Sequence, residues 1–323
     1  MRYAVVSPDI LKLGYSYPLA QETIIEFLSE YQEIKILEEL DDTIEKQIKA
    51  LAYDHKLSVK IFGKTHIEDW IGEYTPDRVR DMLSAIWLDM FKPLSRSVFT
   101  DSMPQRQPQM CSGCGHRSAF HAIKRALSSE DITVADIGCH TLGFLPPYEM
   151  GQLLMCLGSS TAIASGLRLF NTSRNVLAFM GDSTFFQPAL PGIVNGIFNR
   201  HAITLILMEN STTAMTGHQD HAASGENFNG ETVKIPVRQV LEGLGVNHIF
   251  EVDTYQQSKL TEMVIKSLSV DEFSVVIARH VCMLKFTREQ RKNRHHQQQR
   301  QVMIDQNACK QIYTCVEAFG CPS

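Results

Sequence analysis

Apolar residues in this chain fall into two kinds of run, and their alternation predicts an α/β protein. Short, nearly unbroken apolar stretches occur at residues 133–137, 176–180, 203–208 and 274–278. Stretches of this kind read as strands buried on both faces, as in parallel sheets covered by helices on each side. Between them lie longer segments with apolar residues at helical spacing. The pattern predicts a doubly wound parallel sheet, in which ligands bind beyond the carboxyl ends of the strands. Residues just past those ends are therefore candidates for chemistry: Gly138, Cys139 and His140; Gly181, Asp182 and Ser183; Glu209, Asn210 and Ser211; His280 and Cys282.

The first hundred residues repeat the alternation on a smaller scale. An apolar start at 10–13 and Gly14 precede a helix opening near Pro18 and running through Ile24, Ile25 and Leu28. A strand is predicted at 34–37. Asp41 and Asp42 can cap the next helix, whose Ile44, Ile48 and Leu51 share one face, and residues 59–62 return as a strand before Gly63. Three strands with two intervening helices imply a small parallel sheet. The polar, proline-containing run 101–109, DSMPQRQPQ, reads as a linker, which predicts domains at 1–100 and 110–284. Residues 285–300, KFTREQRKNRHHQQQR, read as a basic, Gln-rich helical linker, and 301–323 as a short terminal piece with three cysteines.

Composition narrows the function class. The chain has 323 residues, 44% of them apolar and 21% charged, with a net charge of -5. These values suit a globular α/β protein and give no global basic field, so neither nucleic acid nor a membrane surface is an expected partner. The start MRYAVVSPDILKLGYSYP lacks the features of a signal peptide, and no apolar run is long enough to span a bilayer, so a cytoplasmic location is expected. Eight cysteines in such a chain point to thiols that bind metal, react or pack, rather than to a disulfide framework.

Asp182 follows a buried strand and a glycine, and Asn210 follows the next strand, so both belong on one rim of the sheet. A carboxylate oxygen, an amide oxygen and a backbone carbonyl are hard ligands suited to octahedral Mg²⁺, which takes its remaining oxygens from water and a diphosphate. Gly181 lets the backbone approach, and the following helix N-terminus offers amide hydrogens to phosphate. The same residues could equally serve as turn and capping residues. Cys111 and Cys114 form a C-x-x-C in CSGCGHR, and Cys139 and Cys282 fall beyond the ends of buried strands. Four converging thiolates suit a [4Fe-4S] cluster. A zinc site, or unmetallated thiols, remain open on these residues alone. Cys156, in LLMCLGSS, reads as a core thiol in an apolar helix.

The segment GDSTFFQPALPGIVNGIFNR followed by ENSTTAMTGHQ, with CSGCGHR and DIGCHTLGFLPPYEMG upstream, resembles the large subunit of indolepyruvate ferredoxin oxidoreductase over nearly the whole chain. The resemblance implies a thiamine diphosphate (ThDP) site in a doubly wound domain, preceded by a smaller, transketolase C-terminal-like α/β domain. It implies that Asp182, the Asn210 side chain and the Thr212 carbonyl hold Mg²⁺, and that Gly181, Ser183, Thr213, Met215 and Thr216 contact the cofactor. Residues 213–219 become the loop beside the thiazolium ring, and His218 its candidate catalytic side chain. Cys111, Cys114, Cys139 and Cys282 become the ligands of the ThDP-proximal cluster. Glu209 stands where the family usually has Asp, and Val281 where it tends to have Pro.

The resemblance also implies absences. Family members carry an N-terminal pyrimidine-binding domain with a glutamate for the cofactor's pyrimidine ring, and this sequence begins at what resembles the next domain. A partner chain supplying that half is expected, with a small oxidoreductase subunit, ferredoxin, a 2-oxoacid and coenzyme A as further partners. Cys309, Cys315 and Cys321 resemble the start of a bacterial ferredoxin module, but Ile312 replaces one ligand, so packed or solvent-facing thiols are expected there. The implied activity is oxidative decarboxylation of an aryl pyruvate to an acyl-CoA. A non-oxidative ThDP lyase and a non-catalytic remnant are the alternatives.

Overall fold

The computed structural model describes residues 8–92, 107–293 and 303–321. The chain divides into two compact units, residues 1–104 and 105–323. In the first, α1 (Gln21–Glu30), β1 (Glu33–Lys35), α2 (Thr43–Asp54) and β2 (Lys60–Phe62) precede α3 (Pro76–Ser84). The two strands pair in parallel, with Ile34 opposite Ile61. Ile24 and Leu28 of α1 and Ile48 and Ala52 of α2 form the buried core, the faces that helical spacing predicts.

The apolar start at 10–13 does not form the expected third strand, and the helix opens at Gln21 rather than near Pro18. Leu11 and Leu13 pack against the edge of the core without joining a ladder. A short apolar run is satisfied by burial alone, so its pattern does not distinguish a strand from an extended segment.

The second unit contains α4 (Gly115–Lys124), β3 (Ile132–Val134), α5 (Ser160–Phe170), β4 (Val176–Gly181), α6 (Asp182–Thr184), α7 (Leu190–Phe198), β5 (Thr204–Glu209), α8 (Val237–Gly243), β6 (His248–Asp253), α9 (Gln257–Leu268), β7 (Ser274–Arg279), α10 (Met283–Asn293) and α11 (Thr314–Glu317). Its five strands are all parallel, in the order β3-β4-β5-β7-β6. Alternate residues point to opposite cores. Leu177, Phe179, Ile206, Met208, Val276 and Ala278 pack under α4 and α9. Ala178, Met180, Leu205, Leu207, Val275 and Ile277 pack under α5, α7 and α8. Helices on both faces explain why these strands are apolar throughout, and the doubly wound expectation is met. Each large side chain withdrawn in this way contributes about 1.5–3 kcal/mol.

β6 was not among the predicted strands. It lies at the sheet edge, and its residues are mostly half-buried. Ile249 serves one core and Phe250 and Val252 the other, with Glu251 between them, so no continuous apolar run announces it.

The expectation for Cys156 is also corrected. Residues 151–159 are not helical, and Cys156 is exposed, flanked by Met155 at 75% exposure. The start of α5 is fixed by fully buried Asp136, whose carboxylate accepts hydrogen bonds from the amides of Gly158 (2.8 Å) and Ser160 (3.1 Å). A helix start set by a carboxylate from another segment leaves no local signal in the apolar run before it.

Of the proposed linkers, residues 101–106 and 294–300 lie outside the described residues; α10 occupies the start of the basic segment. Cys309 and Cys315 are exposed and Cys321 is partly covered. Among the described residues, no helix is long and apolar enough to cross a membrane.

Gly143 shows how tightly the α4 face is packed. A β-carbon there would overlap the ring of Phe120, which is fully buried between Phe179 and Tyr148 with ring centroids 5.1 and 5.5 Å away. Gly143→Ala is expected to lower stability by roughly 1–3 kcal/mol, read as a lower urea midpoint at unchanged m-value.

Candidate functional site

Parallel pairing of β4 with β5 sets Gly181 opposite Met208, so the residues that follow each strand meet at one rim. Asp182 is 2% exposed there. Its Oδ2 accepts from the amides of Asn210 (3.0 Å) and Ser211 (2.7 Å), and its Oδ1 from that of Ser183 (2.9 Å). Asn210 Oδ1 accepts from the Thr212 amide at 3.0 Å, and Ser211 takes the left-handed conformation, φ 61°, that makes this turn. Asp182, Asn210 and Thr212 are thus drawn into one compact turn. Burial raises the Asp182 pKa to about 6, against the pull of its three amide donors.

The imidazole of His221 faces the same carboxylate, with Nε2 3.6 Å from Oδ2. Its Nδ1 accepts from the Ala223 amide at 3.2 Å, so in the neutral ring the proton sits on Nε2, toward Asp182. Burial lowers the pKa of His221.

Residues 213–219 form a hairpin closed by Thr213 N to Gln219 O at 2.9 Å and His218 N to Thr213 O at 3.0 Å. It is tied to the start of α6 by the Thr213 hydroxyl, which donates to Ser183 Oγ at 2.7 Å. Gly217 and His218 both have positive φ, 121° and 66°. Met215 and His218 line a cleft of about 230 Å³, whereas the Thr216 hydroxyl is engaged within the hairpin by Gln219 at 2.7 Å. His218 Nδ1 is buried without a hydrogen-bond partner. Burial, and then the nearby Arg288 and Lys285, depress the pKa of His218 and keep it neutral near pH 7.

Cys111, Cys114, Cys139 and Cys282 all line the same cleft, together with Asn210. The C-x-x-C loop is held by two side chains. Buried Arg117 donates through Nε to Cys111 O at 3.1 Å and through its terminal nitrogen to Met110 O. The Tyr255 hydroxyl donates to Gly113 O at 2.6 Å, and Gly113 has the φ of 67° that the tight loop requires. Tyr255 in turn stacks on His280, centroids 3.9 Å apart, and His280 Nδ1 lies 3.3 Å from Asp253 Oδ2. The amide of Cys282 donates to Asn210 O at 3.2 Å, so the cysteine cleft and the Asp182 turn share a backbone bond.

Burial pushes the Cys139 thiol up to about 11, with Cys114, Cys282 and Cys111 adding to the effect. Cys111 is raised by burial and by Cys114 and Cys282, and Cys114 chiefly by burial. Among the described residues, no three His, Cys, Asp or Glu side chains stand close enough to hold a single metal ion.

His116 lines this cleft, and His140 is buried beside it. His116 Nδ1 lies 3.2 Å from Cys114 Sγ, and the rings of His116 and His140 are 6.3 Å apart. Burial lowers His116 to about 4, partly offset by Asp182, and lowers His140 to about 3, with His116 adding to the effect. At the carboxyl end of β5, beside the cleft, buried Glu209 pairs with Arg279 at 2.9 Å, and Arg279 also reaches Glu251 at 2.6 Å. The charge of Glu209 adds to the rise of the Asp182 pKa.

Sequence reasoning had not assigned roles to His116, Arg117, Asp136, His221, Tyr255 or Arg279. His116 and Arg117 stood inside the CSGCGHR motif, and Asp136 at a strand end, where a signal existed. Tyr255 and His221 come from distant segments and carried none.

Residues 136–278 match the family described as thiamine pyrophosphate enzyme, C-terminal TPP binding domain. Over 97% of its length the chain is 32% identical to indolepyruvate oxidoreductase subunit IorA of Methanothermobacter marburgensis, covering 50% of that protein. It is 30% identical, again over 97% of its length, to the same subunit of Pyrococcus horikoshii, covering 51%. The chain therefore spans about half the length of these curated relatives. Among solved structures, 2-oxoglutarate:ferredoxin oxidoreductase from Magnetococcus marinus superposes with a TM-score of 0.50 at 17% identity, over 58% of this chain and 70% of that one. That likeness is one of fold.

Proposed function

We propose that the chain belongs to the thiamine diphosphate family that includes indolepyruvate oxidoreductase subunit IorA, and that it forms the diphosphate, metal and cluster half of a 2-oxoacid:ferredoxin oxidoreductase. The reaction proposed is oxidative decarboxylation of an aryl pyruvate such as indolepyruvate to an acyl-CoA in the cytoplasm, with ferredoxin as acceptor. A partner chain bearing the pyrimidine-binding half, and a small oxidoreductase subunit, complete the enzyme. The observation that carries this reading is the convergence of the Asp182 turn and four cysteines on one cleft.

The residues fit the implied groups. Asp182 is a buried carboxylate whose partners are amides and a neutral imidazole, so a cation is what its environment lacks. Asp182, Asn210 Oδ1 and the Thr212 carbonyl would supply Mg²⁺ with hard oxygen ligands. Gly181, Ser183, Thr213, Met215 and Thr216 would surround the diphosphate and thiazolium.

Burial raises the thiols of Cys111, Cys114 and Cys139, and neighbouring thiols add to it at Cys111 and Cys139, so holding them as thiolates together needs positive charge. Four thiols lining one cleft are the ligand set that a [4Fe-4S] cluster takes.

When bound, thiamine diphosphate supplies the nucleophilic carbon that attacks the 2-keto group and accepts the electrons left by CO₂. The protein's part is positional. Arg117 and Tyr255 keep the C-x-x-C loop rigid beside the Asp182 turn. His218, neutral and with its Nδ1 unpartnered at the cleft wall, is placed to hydrogen-bond a substrate carboxylate or carry a proton.

Purified anaerobically with its partner, the protein is expected to bind iron and show broad visible absorbance that bleaches when indolepyruvate and coenzyme A are added. Absence of iron and of bleaching overturns the oxidoreductase reading. Release of CO₂ without any electron acceptor would favour a lyase instead.

A further inference from the structure

We propose that His116 donates a hydrogen bond from Nδ1 to the sulfur of Cys114 and thereby raises the reduction potential of the iron-sulfur cluster. The inference rests on the cluster reading above. His116 is the second residue of α4 and is 6% exposed, and its Nδ1 lies 3.2 Å from Cys114 Sγ. An iron-bound thiolate can only accept hydrogen bonds. The imidazole nitrogen facing it must therefore carry the proton, which fixes the neutral tautomer with hydrogen on Nδ1. No change of protonation is invoked.

Cys114 is better supplied with donors than Cys139. The backbone amides of His116 and Arg117 also favour its thiolate, whereas Cys139 has only its own amide in that role. Adding an electron makes the cluster and its sulfurs more negative, so each N–H aimed at a sulfur favours the reduced form. Burial strengthens the contribution, since the surroundings do not screen it as water does. His116 is thus a positioning residue, acting on the cluster through its ligand.

The test uses the anaerobically purified protein with its partner, and variants His116→Leu and His116→Asn. Leucine removes the donor at similar volume, whereas asparagine places an amide N–H one bond beyond Cγ, where Nδ1 stands. A redox titration followed by the visible absorbance is expected to move about tenfold toward the oxidised cluster in His116→Leu, about 59 mV more negative for one electron. His116→Asn should recover to within roughly threefold of the wild type, since the donor to sulfur is restored. A leucine variant within roughly threefold of wild type overturns the assignment, because a donor lost from a buried sulfur must shift the equilibrium.

If His116→Leu fails to retain iron, the iron-free proteins decide. Alkylation of Cys114 by iodoacetamide, mapped by mass spectrometry, should slow in the leucine variant and recover in the asparagine one, and an unchanged rate overturns the proposal. If the wild type binds no iron, the cluster reading fails and this inference with it. Iron bound at an unchanged potential sinks only the role of His116.

Discussion

Replacing Asp182 with asparagine is expected to weaken Mg²⁺-dependent thiamine diphosphate binding at least about a hundredfold, close to 3 kcal/mol, while leaving the metal-free fold intact. The carboxylate is the one formal negative charge in the turn that gathers Asn210 and Thr212, and an amide supplies one oxygen but no charge. In the metal-free protein the same charge is a burden. Raising its pKa from 3.8 to about 6 corresponds to about 3 kcal/mol of destabilisation at neutral pH. Asparagine removes that cost but turns an N–H toward amides that donated to the carboxylate, a loss of about 1–3 kcal/mol. The two changes nearly cancel.

Calorimetry with thiamine diphosphate and Mg²⁺ on the partnered protein, beside urea unfolding of the metal-free chain, separates the roles. Binding within about fivefold of wild type would reject Asp182 as a ligand, since that is about 1 kcal/mol. Weak binding accompanied by several kcal/mol of lost stability would make it a structural residue.

Stability of the metal-free protein should fall as the solution is acidified from pH 6.5 toward 4, and fall more steeply in Asp182→Asn, by about 1.4 kcal/mol per pH unit. The imidazoles of His116 and His140 stay neutral in the fold down to about pH 4 and 3, whereas in the unfolded chain they take up protons near 6.5. A group whose folded pKa is depressed gives stability that is present above its unfolded pKa and lost as pH falls. Asp182 works in the opposite sense. Its folded pKa of about 6 lies above 3.8, so its protonation favours the fold as pH falls through 6.

Between about pH 6 and 4 the unfolded chain thus gains two protons and the fold one, a net slope of about 1.4 kcal/mol per pH unit. Without the carboxyl the slope is about 2.7 kcal/mol per unit. His218 and His221, both depressed by burial, steepen the two curves alike and leave the difference unchanged. Urea midpoints across this range measure both slopes. Equal slopes in the two proteins would show that Asp182 does not titrate as its burial implies.

Much of the site was legible because a strand end is a local event. Gly181-Asp182 and Glu209-Asn210 each follow an apolar run, and parallel pairing of β4 with β5 brings them together without further information. Cys139 and Cys282 were likewise placed by strand ends, Cys111 and Cys114 were marked by their C-x-x-C spacing, and all four line one cleft. Thr216 lies in the predicted loop, where its hydroxyl and carbonyl are engaged by Gln219 within the hairpin, an arrangement that the motif does not spell out.

By itself the sequence determined that a buried parallel sheet forms and which of its rims gathers the candidate residues. Strands apolar on both faces are stable only beneath two helical layers, and chain direction then fixes where every strand ends. Tertiary structure alone decided the rest. Asp136 sets the start of α5, leaving Cys156 outside, Tyr255 reaches back to Gly113, His221 turns to Asp182, and β6 completes an edge without an apolar run. Each of these depends on which segments the crossovers bring into contact. A hydrogen bond between segments distant in the chain leaves no periodicity in either one, because its energy depends on the distance and direction between two groups that only the packed sheet brings together.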